Sequence, residues 1–198
     1  MSKVLGDYKA TIPITLVTQK RTNIGSTSSE IVQLMGVRYA VMQEPSKGEK
    51  INEGIMKEIT GGDPIQGRAL FKEAVTFIPQ FKLVVCTNTL FDIKSNDDGT
   101  WRRIRVCDFM SKFLENPYED DVKFPKSEYP YQYTIDQKID DKFNKWGPVL
   151  ASMLVDTTYN KCGIVKDCKI VMGSSDQYRE GQDYLTEFCK EKIRQVPG

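Results

Sequence analysis

The apolar run Lys82-Leu83-Val84-Val85-Cys86 ends on Thr87-Asn88-Thr89, a pattern typical of a buried strand with a polar group at its exit. A second run of this type, residues 37–42, leads into Gln43-Glu44. Helical stripes, such as the apolar positions within residues 50–59, alternate with these strand-like runs. This alternation predicts an α/β fold built on a parallel sheet.

Three further segments extend the predicted fold. Residues 65–71 and 75–85 predict a β-hairpin followed by a core strand, with Arg68 and Lys72 flanking a tight tip. Residues 11–18 alternate polar and apolar side chains and predict a half-buried strand. We also predict a strand over residues 103–109.

The interval 115–134 is acidic and then rich in proline and tyrosine, which is typical of a domain boundary. Three predicted helices follow it: residues 135–146, residues 149–159 beginning at Gly147-Pro148, and a last helix that reaches residue 194 and is capped within Ser174-Ser175-Asp176. We therefore predict a sheet-containing domain over residues 1–114 and a helical C-terminal domain over residues 115–198.

Composition limits the classes of function. The 198 residues carry 28 basic and 27 acidic side chains, so the net charge of +1 argues against a histone-like binder of nucleic acid. The absence of histidine excludes Ser-His-Asp and Cys-His catalysis and histidine-ligated zinc. Cys86 and Cys107 lie in apolar runs, so we expect buried free thiols and a reducing compartment. No signal-peptide pattern begins the chain, and we expect a soluble protein that is not secreted.

Glu44 and Asn88 are candidate site residues because each follows a predicted buried strand. Ligands of open α/β sheets bind at the carboxyl ends of the strands. There a carboxylate could orient a water that attacks a γ-phosphate, and an amide could bond a phosphate oxygen. The alternative is that both are ordinary turn residues at strand ends.

Arg102 and Arg103 form a pair that could bind phosphate, because guanidinium presents a planar fork and stays charged at any working pH. Such an arginine can act from a neighbouring subunit on that subunit's nucleotide. The alternative is a pair of strand-edge arginines in surface ion pairs.

The hairpin tip combines Arg68 and Lys72 with the ring of Phe71. Basic side chains with an aromatic neighbour can hold phosphate while the ring packs against a base. The alternative is an ordinary hairpin with a solvated lysine and buried phenylalanines.

Taken together, the order and spacing of these motifs closely resemble superfamily 3 helicases, with the primase-helicases of poxviruses, giant DNA viruses, phages and plasmids as the nearest relatives. The motifs that carry this resemblance are residues 39–44, Asn52-Glu53, residues 57–63, the hairpin, residues 81–88 and residues 101–105.

The resemblance implies an AAA+-like P-loop NTPase core and a role for each candidate residue. Gln43-Glu44 falls on the Walker B position, with Glu44 as the catalytic acid and Mg²⁺ contact, and Asn88 matches the sensor that faces ATP. Arg102 or Arg103 matches the arginine finger. The resemblance also implies a homo-hexameric ring that uses ATP to move on single-stranded DNA, in the host cytoplasm or at the viral replication site. A basic set in the motif between Walker B and the sensor would grip that DNA: Lys57, Arg68 and Lys72.

The sequence departs from the family in two ways. Gln43 stands where many members carry an acid, and no G-x-x-x-x-G-K-[ST] occurs in the 198 residues. We therefore expect an N-terminally truncated core that works as a helicase only when a Walker A segment is supplied. The alternatives are a non-enzymatic fragment, which binds single-stranded DNA or sits passively in a ring, and a remnant without function.

Overall fold

A computed structural model describes residues 1–18, 27–43, 50–94 and 97–183. Its contacts divide the chain into two compact units, one of residues 1–104 together with the chain from Gln177 onward, the other of residues 105–176. The described residues form seven strands: β1 Lys9–Thr11, β2 Tyr39–Gln43, β3 Ile65–Arg68, β4 Ala74–Phe77, β5 Lys82–Cys86, β6 Ser111–Leu114 and β7 Tyr131–Thr134. The helices are α1 Ser2–Leu5, α2 Thr15–Thr18, α3 Ser29–Val32, α4 Glu53–Thr60, α5 Asp98–Trp101, α6 Ile139–Asn160 and α7 Lys169–Gly181.

The sheet of the first unit has three parallel strands in the order β1-β2-β5. β2 is the central strand, and its inward residues Ala40 and Met42 are fully buried. They pack in one core with α3, α4 and β3, to which Ile31, Ile59 and Ile65 contribute. The predicted α/β fold with a parallel sheet is therefore confirmed.

The predicted hairpin is present as the antiparallel pair β3–β4, in which Ile65 lies opposite Phe77 and Arg68 opposite Ala74. The end of the hairpin next to its loop is held by the start of α3. The backbone N–H of Ser28 donates to the carbonyl of Arg68 at 2.8 Å, and the N–H of Arg68 donates to Ser28 Oγ at 3.0 Å. These bonds fix one end of the hairpin, while the loop of residues 69–73 projects beyond them.

The second unit contains β6 and β7, which pair in parallel. Its organising residue is Gln132, only 4% exposed. Gln132 Nε2 donates to the carbonyls of Phe124 at 2.9 Å and Tyr129 at 3.1 Å, and Oε1 accepts from the N–H of Tyr118 at 2.8 Å. A buried amide with these partners fixes the loop between the strands, because leaving such a group unpaired would be costly. The domain boundary at residues 114 and 115 stays a prediction.

Two strand predictions were wrong. Residues 103–109 form no strand, because Arg103 and Ile104 continue the turn of α5 through N–H bonds to the carbonyls of Thr100 and Trp101, both at 3.1 Å. Residues 11–18 divide between the end of β1 and α2, since Pro13, which has no N–H to give a sheet ladder, starts a helical turn instead. Its carbonyl accepts from the N–H of Leu16 at 3.1 Å.

The predicted helix boundaries also need correction. α6 runs unbroken through Gly147 and Pro148, because the bonds of a 22-residue helix outweigh the one that proline removes. α7 begins at Lys169 rather than at the cap predicted within Ser174-Ser175-Asp176. Ser175 lies inside the helix, where its hydroxyl donates to the carbonyl of Val171 at 2.7 Å. Residues 184–194 of the last predicted helix lie outside the described residues.

Cys86 and Cys107 are exposed, contrary to the predicted buried thiols. Cys86 ends a strand at the edge of the sheet, and Cys107 lies in the stretch that forms no strand, so an apolar sequence context did not lead to burial. Among the described residues, no helix is long and apolar enough to cross a bilayer.

Candidate functional site

The two strands that were predicted to end in polar groups are neighbours in the sheet. β2 and β5 are parallel and paired throughout, so their last residues, Gln43 and Cys86, lie opposite each other. Asn88 follows Cys86 by two residues and therefore lies just beyond the carboxyl edge of the sheet, where ligands of such sheets bind. Glu44 and the side chain of Gln43 lie outside the described part of the structure.

A threonine turn shapes the backbone around Asn88. Thr87 Oγ1 accepts from the N–H of Thr89 at 3.0 Å and donates to the carbonyl of Thr89 at 2.5 Å. Asn88, between them, is exposed. An exposed amide at this edge can donate to a phosphate oxygen or accept from a water without adding charge.

Arg102 and Arg103 lie at the end of α5. The two differ in exposure, since Arg102 is exposed and Arg103 is half-buried. The guanidinium of Arg103 donates through Nη1 to the carbonyl of Gly99 in the same helical turn. Arg102 is therefore the more accessible of the two to a second molecule.

α5 is attached to α4 through side chains at its first turn. Thr100, which is fully buried, donates through Oγ1 to Glu53 Oε2 at 2.8 Å. Asp97 caps the helix by accepting from the N–H of Gly99 at 3.1 Å, and it also pairs with the ammonium of Lys57. The one-turn helix is therefore held by a buried hydrogen bond and an ion pair rather than by its own short ladder.

Lys57 has a structural partner in this attachment. Its hydrogen bond to the carboxylate, together with the backbone N–H of Gly99, lowers the pKa of Asp97 to about 2. The structure thus connects Lys57 with α5, whereas Arg68 and Lys72 meet at the hairpin tip. The contact of Lys57 with DNA stays a prediction.

The hairpin tip brings Arg68, Lys72 and Phe71 together. Arg68 Nε donates to the carbonyl of Lys72 at 3.1 Å and so closes the loop. Phe71 is 95% exposed and has a φ of 58°, in the left-handed region that a bulky residue seldom adopts. A ring held in water in this backbone conformation is available to stack on a ligand. Sequence analysis placed Phe71 near the tip, but its exposure could not be deduced.

The contacts that Tyr178 and Gln182 make with residues 91–101 were not predicted from the sequence. The ring of Tyr178 packs edge-on against Trp101, with centroids 5.3 Å apart, and its hydroxyl donates to the carbonyl of Phe91 at 2.5 Å. Gln182 Oε1 accepts from the N–H of Ile93 at 2.9 Å. The only sequence signal was an apolar stripe in the last predicted helix, and a stripe does not identify its partner.

Within the described part of the chain, no group of three or more cysteine, aspartate or glutamate side chains is placed to hold a metal ion. The predicted Mg²⁺ contact of Glu44 cannot be compared with this finding, because Glu44 lies outside that part.

Known proteins were compared with the chain. No protein-family model matches it. The chain is similar over 97% of its length, at 36% identity, to "Putative helicase L207/L206" of Acanthamoeba polyphaga mimivirus. It is similar over 98% of its length, at 31% identity, to "Putative helicase 022R" of Frog virus 3. "Putative primase C962R" of African swine fever virus matches the whole chain at 29% identity.

The matched region is only a part of each of these viral proteins. The chain spans 20% of the length of the mimivirus and Frog virus 3 proteins and 21% of the African swine fever virus protein. The similarity nevertheless extends over nearly all of this chain. The chain is therefore homologous to one part of these large-DNA-virus proteins, which are named as helicases and primases.

Proposed function

We propose that the chain is part of an ATP-dependent DNA helicase of a viral primase-helicase, which moves on single-stranded DNA as a ring when a Walker A segment is supplied. The observation that carries this proposal is the parallel pairing of β2 and β5, whose ends coincide at Gln43 and Cys86. This pairing gives the Walker B and sensor segments of the resemblance a common sheet edge.

In this proposal, Gln43 and Glu44 would hold the Mg²⁺ of the nucleotide, Glu44 would orient the water that attacks the γ-phosphate, and Asn88 would bond a phosphate oxygen or the same water. An exposed amide just beyond β5 fits that task. The backbone cradle for the β- and γ-phosphates would come from the Walker A segment, which the 198 residues do not contain.

Arg102 is the better candidate for the arginine that acts on a neighbouring subunit's nucleotide. A residue that acts on another subunit must reach beyond its own surface, and Arg102 is the exposed member of the pair. The guanidinium of Arg103 is directed to the carbonyl of Gly99. We propose Arg103 as a support of the α5 turn.

The hairpin tip is the proposed contact with single-stranded DNA. Arg68 and Lys72 supply charge for the phosphates, and the 95% exposed ring of Phe71 supplies a stacking surface. Lys57 is a weaker candidate for this contact, because its ammonium already pairs with Asp97.

A non-enzymatic role in single-strand DNA binding, or as a passive ring subunit, is the second candidate function. The observation that favours it is the absence of a phosphate-binding G-x-x-x-x-G-K-[ST] loop from these residues. Both candidates use the same hairpin tip, so they differ only in ATP turnover.

The test compares ATP hydrolysis by the 198-residue chain with hydrolysis by a longer protein in which the Walker A segment precedes it. We expect no turnover by the chain alone. In the longer protein we expect turnover that single-stranded DNA stimulates and that Glu44→Gln abolishes. Glu128→Gln, at an exposed position in the second unit, is the matched control and should leave the rate unchanged. Turnover that survives Glu44→Gln would contradict the role proposed for Glu44, and a longer protein without turnover would favour the non-enzymatic candidate.

A further inference from the structure

We infer that Tyr178 is a positioning residue for Arg102, acting through Trp101 and the α5 turn. This inference rests on the proposed function, in which Arg102 acts on the nucleotide of a neighbouring subunit. It assigns to the C-terminal helix α7 a part in that step that the resemblance does not supply.

Tyr178 is attached to its surroundings at two points. Its ring lies edge-on to Trp101 at a centroid distance of 5.3 Å and an interplanar angle of 78°, a favoured aromatic geometry. Its hydroxyl donates to the carbonyl of Phe91 at 2.5 Å. Burial and the nearby carboxylate of Asp92 raise the pKa of this hydroxyl well above its usual range, so it remains a donor at working pH.

Trp101, which contacts Tyr178, directly precedes Arg102 in the chain. Trp101 is the last residue of α5, is only 6% exposed, and packs in one cluster with Phe91 and Ile93. Arg102 follows it, and its N–H donates to the carbonyl of Asp98 at 3.0 Å. The backbone of Arg102 is thus held between a buried tryptophan and the first residue of the helical turn.

A second contact from α7 supports the same turn. Arg179 Nη2 pairs with Asp98 Oδ1 at 2.7 Å. The carboxylate of Asp98 is 86% exposed, and exposed ion pairs contribute little, so we rank this contact below that of Tyr178.

The position of α5 depends on these attachments because the helix is short. A four-residue helix is not stable by itself, so the direction of its last side chain depends on the neighbours that hold it. A catalytic group that acts across a subunit boundary must be placed accurately, since a displacement of about 1 Å can cost roughly 100-fold in rate. Loosening Tyr178 should therefore lower turnover without changing the binding of ATP by the same subunit.

The experiment uses Tyr178→Phe in the longer protein that carries the Walker A segment. This substitution keeps the ring against Trp101 and removes only the bond to the carbonyl of Phe91. We expect kcat to fall roughly 10-fold, with the KM for ATP and the thermal unfolding temperature nearly unchanged. Tyr159→Phe, which removes a hydroxyl from a side chain that is 83% exposed, is the matched control and should have no effect.

Mixed rings distinguish a positioning role from a general loss of activity. A subunit with Glu44→Gln retains its own Arg102, so it can supply this arginine to a neighbour with Tyr178→Phe, whose own Glu44 is intact. We expect rings of these two variants to exceed the mean activity of the separate proteins. Rings that combine Tyr178→Phe with Arg102→Ala should show no such gain, because every subunit then lacks a well-placed arginine.

The outcomes separate the inference from the proposed function. If Arg102→Ala leaves turnover unchanged, or if the longer protein has no turnover, the proposed function fails and the inference fails with it. Suppose instead that Arg102→Ala abolishes turnover. The inference alone is then overturned if Tyr178→Phe leaves turnover unchanged, or if rings that mix Tyr178→Phe with Arg102→Ala exceed the mean activity of the separate proteins. A fall in thermal stability without the mixed-ring pattern would likewise assign Tyr178 to folding alone.

Discussion

At the scale of single residues, Lys57 shows how a motif position can carry a structural bond. The hydrogen bond from Lys57 lowers the pKa of Asp97 from 3.8 to about 2, so the folded state favours the charged carboxylate. A depressed pKa stabilises the fold at pH values above the unfolded pKa, and that contribution is lost as the pH falls through the folded one. The stabilising effect of the pair should therefore be constant above about pH 4 and fade between pH 4 and 2.

We predict that Lys57→Met lowers the free energy of unfolding by a small amount at neutral pH, and that its difference from the wild type vanishes over this acidic window. Urea unfolding at a series of pH values measures it. Lys166→Met, in the exposed stretch between α6 and α7, is the control and should show no such profile. A difference that persists unchanged at pH 2 would contradict the role given to the ion pair.

At the scale of secondary structure, the close approach of α3 to β3 depends on Gly67. A Cβ at this position would lie 2.9 Å from Val32 Cγ2 and 3.0 Å from Ile31 Cγ2, closer than normal packing permits. We predict that Gly67→Ala destabilises the protein by about 1–3 kcal/mol, because α3 must move away from β3. Urea unfolding measures the loss.

The control for this prediction is Gly173→Ala in α7, where the added methyl group would meet nothing within 4 Å. Replacing a helical glycine with alanine in open space should stabilise by roughly 0.5–1 kcal/mol. Equal effects of the two substitutions would show that backbone entropy, and not contact with α3, determines the outcome at Gly67.

The elements also show what the sequence could predict. β2 and β5 were predicted because each is a short apolar run with a polar exit, and their adjacency follows from the parallel α/β pattern. Residues 103–109 show the limit, since their apolar alternation was overridden by the turn that continues α5. The contact of Tyr178 with Trp101 joins residues that are far apart in the sequence, and no local pattern encodes it.

At the scale of the whole molecule, the near balance of charge constrains how the chain can bind DNA. With 28 basic and 27 acidic residues, no strong overall field attracts a polyanion, so any affinity must come from a local site. If Arg68 and Lys72 each neutralise one phosphate, log K should fall with log salt with a slope of about −1.4 for single strands. We predict that Lys72→Ala halves this slope, as measured by fluorescence anisotropy of labelled single-stranded DNA over a salt series.

Lys57→Met is the informative comparison in the same series. Because its ammonium pairs with Asp97, we expect the salt slope to remain at the wild-type value. A fall of about 0.7 on removing Lys57 would instead place a phosphate at α4 and extend the DNA contact beyond the hairpin tip.

The exposed ring at the tip should affect DNA affinity in a way that salt does not reveal. Stacking contributes roughly 1–3 kcal/mol per base and involves no counterion, so replacing Phe71 should weaken binding by about 5–150-fold while leaving the salt slope unchanged. Phe71→Asn is the suitable variant, because asparagine tolerates the left-handed φ of 58° and the tip can keep its backbone. Ile78→Ala, at a 55% exposed apolar position just after β4, controls for loss of surface hydrophobicity and should leave affinity intact. Equal loss of DNA affinity in both variants would contradict a stacking role for Phe71. The affinity would then depend on exposed apolar surface in general rather than on the aromatic ring.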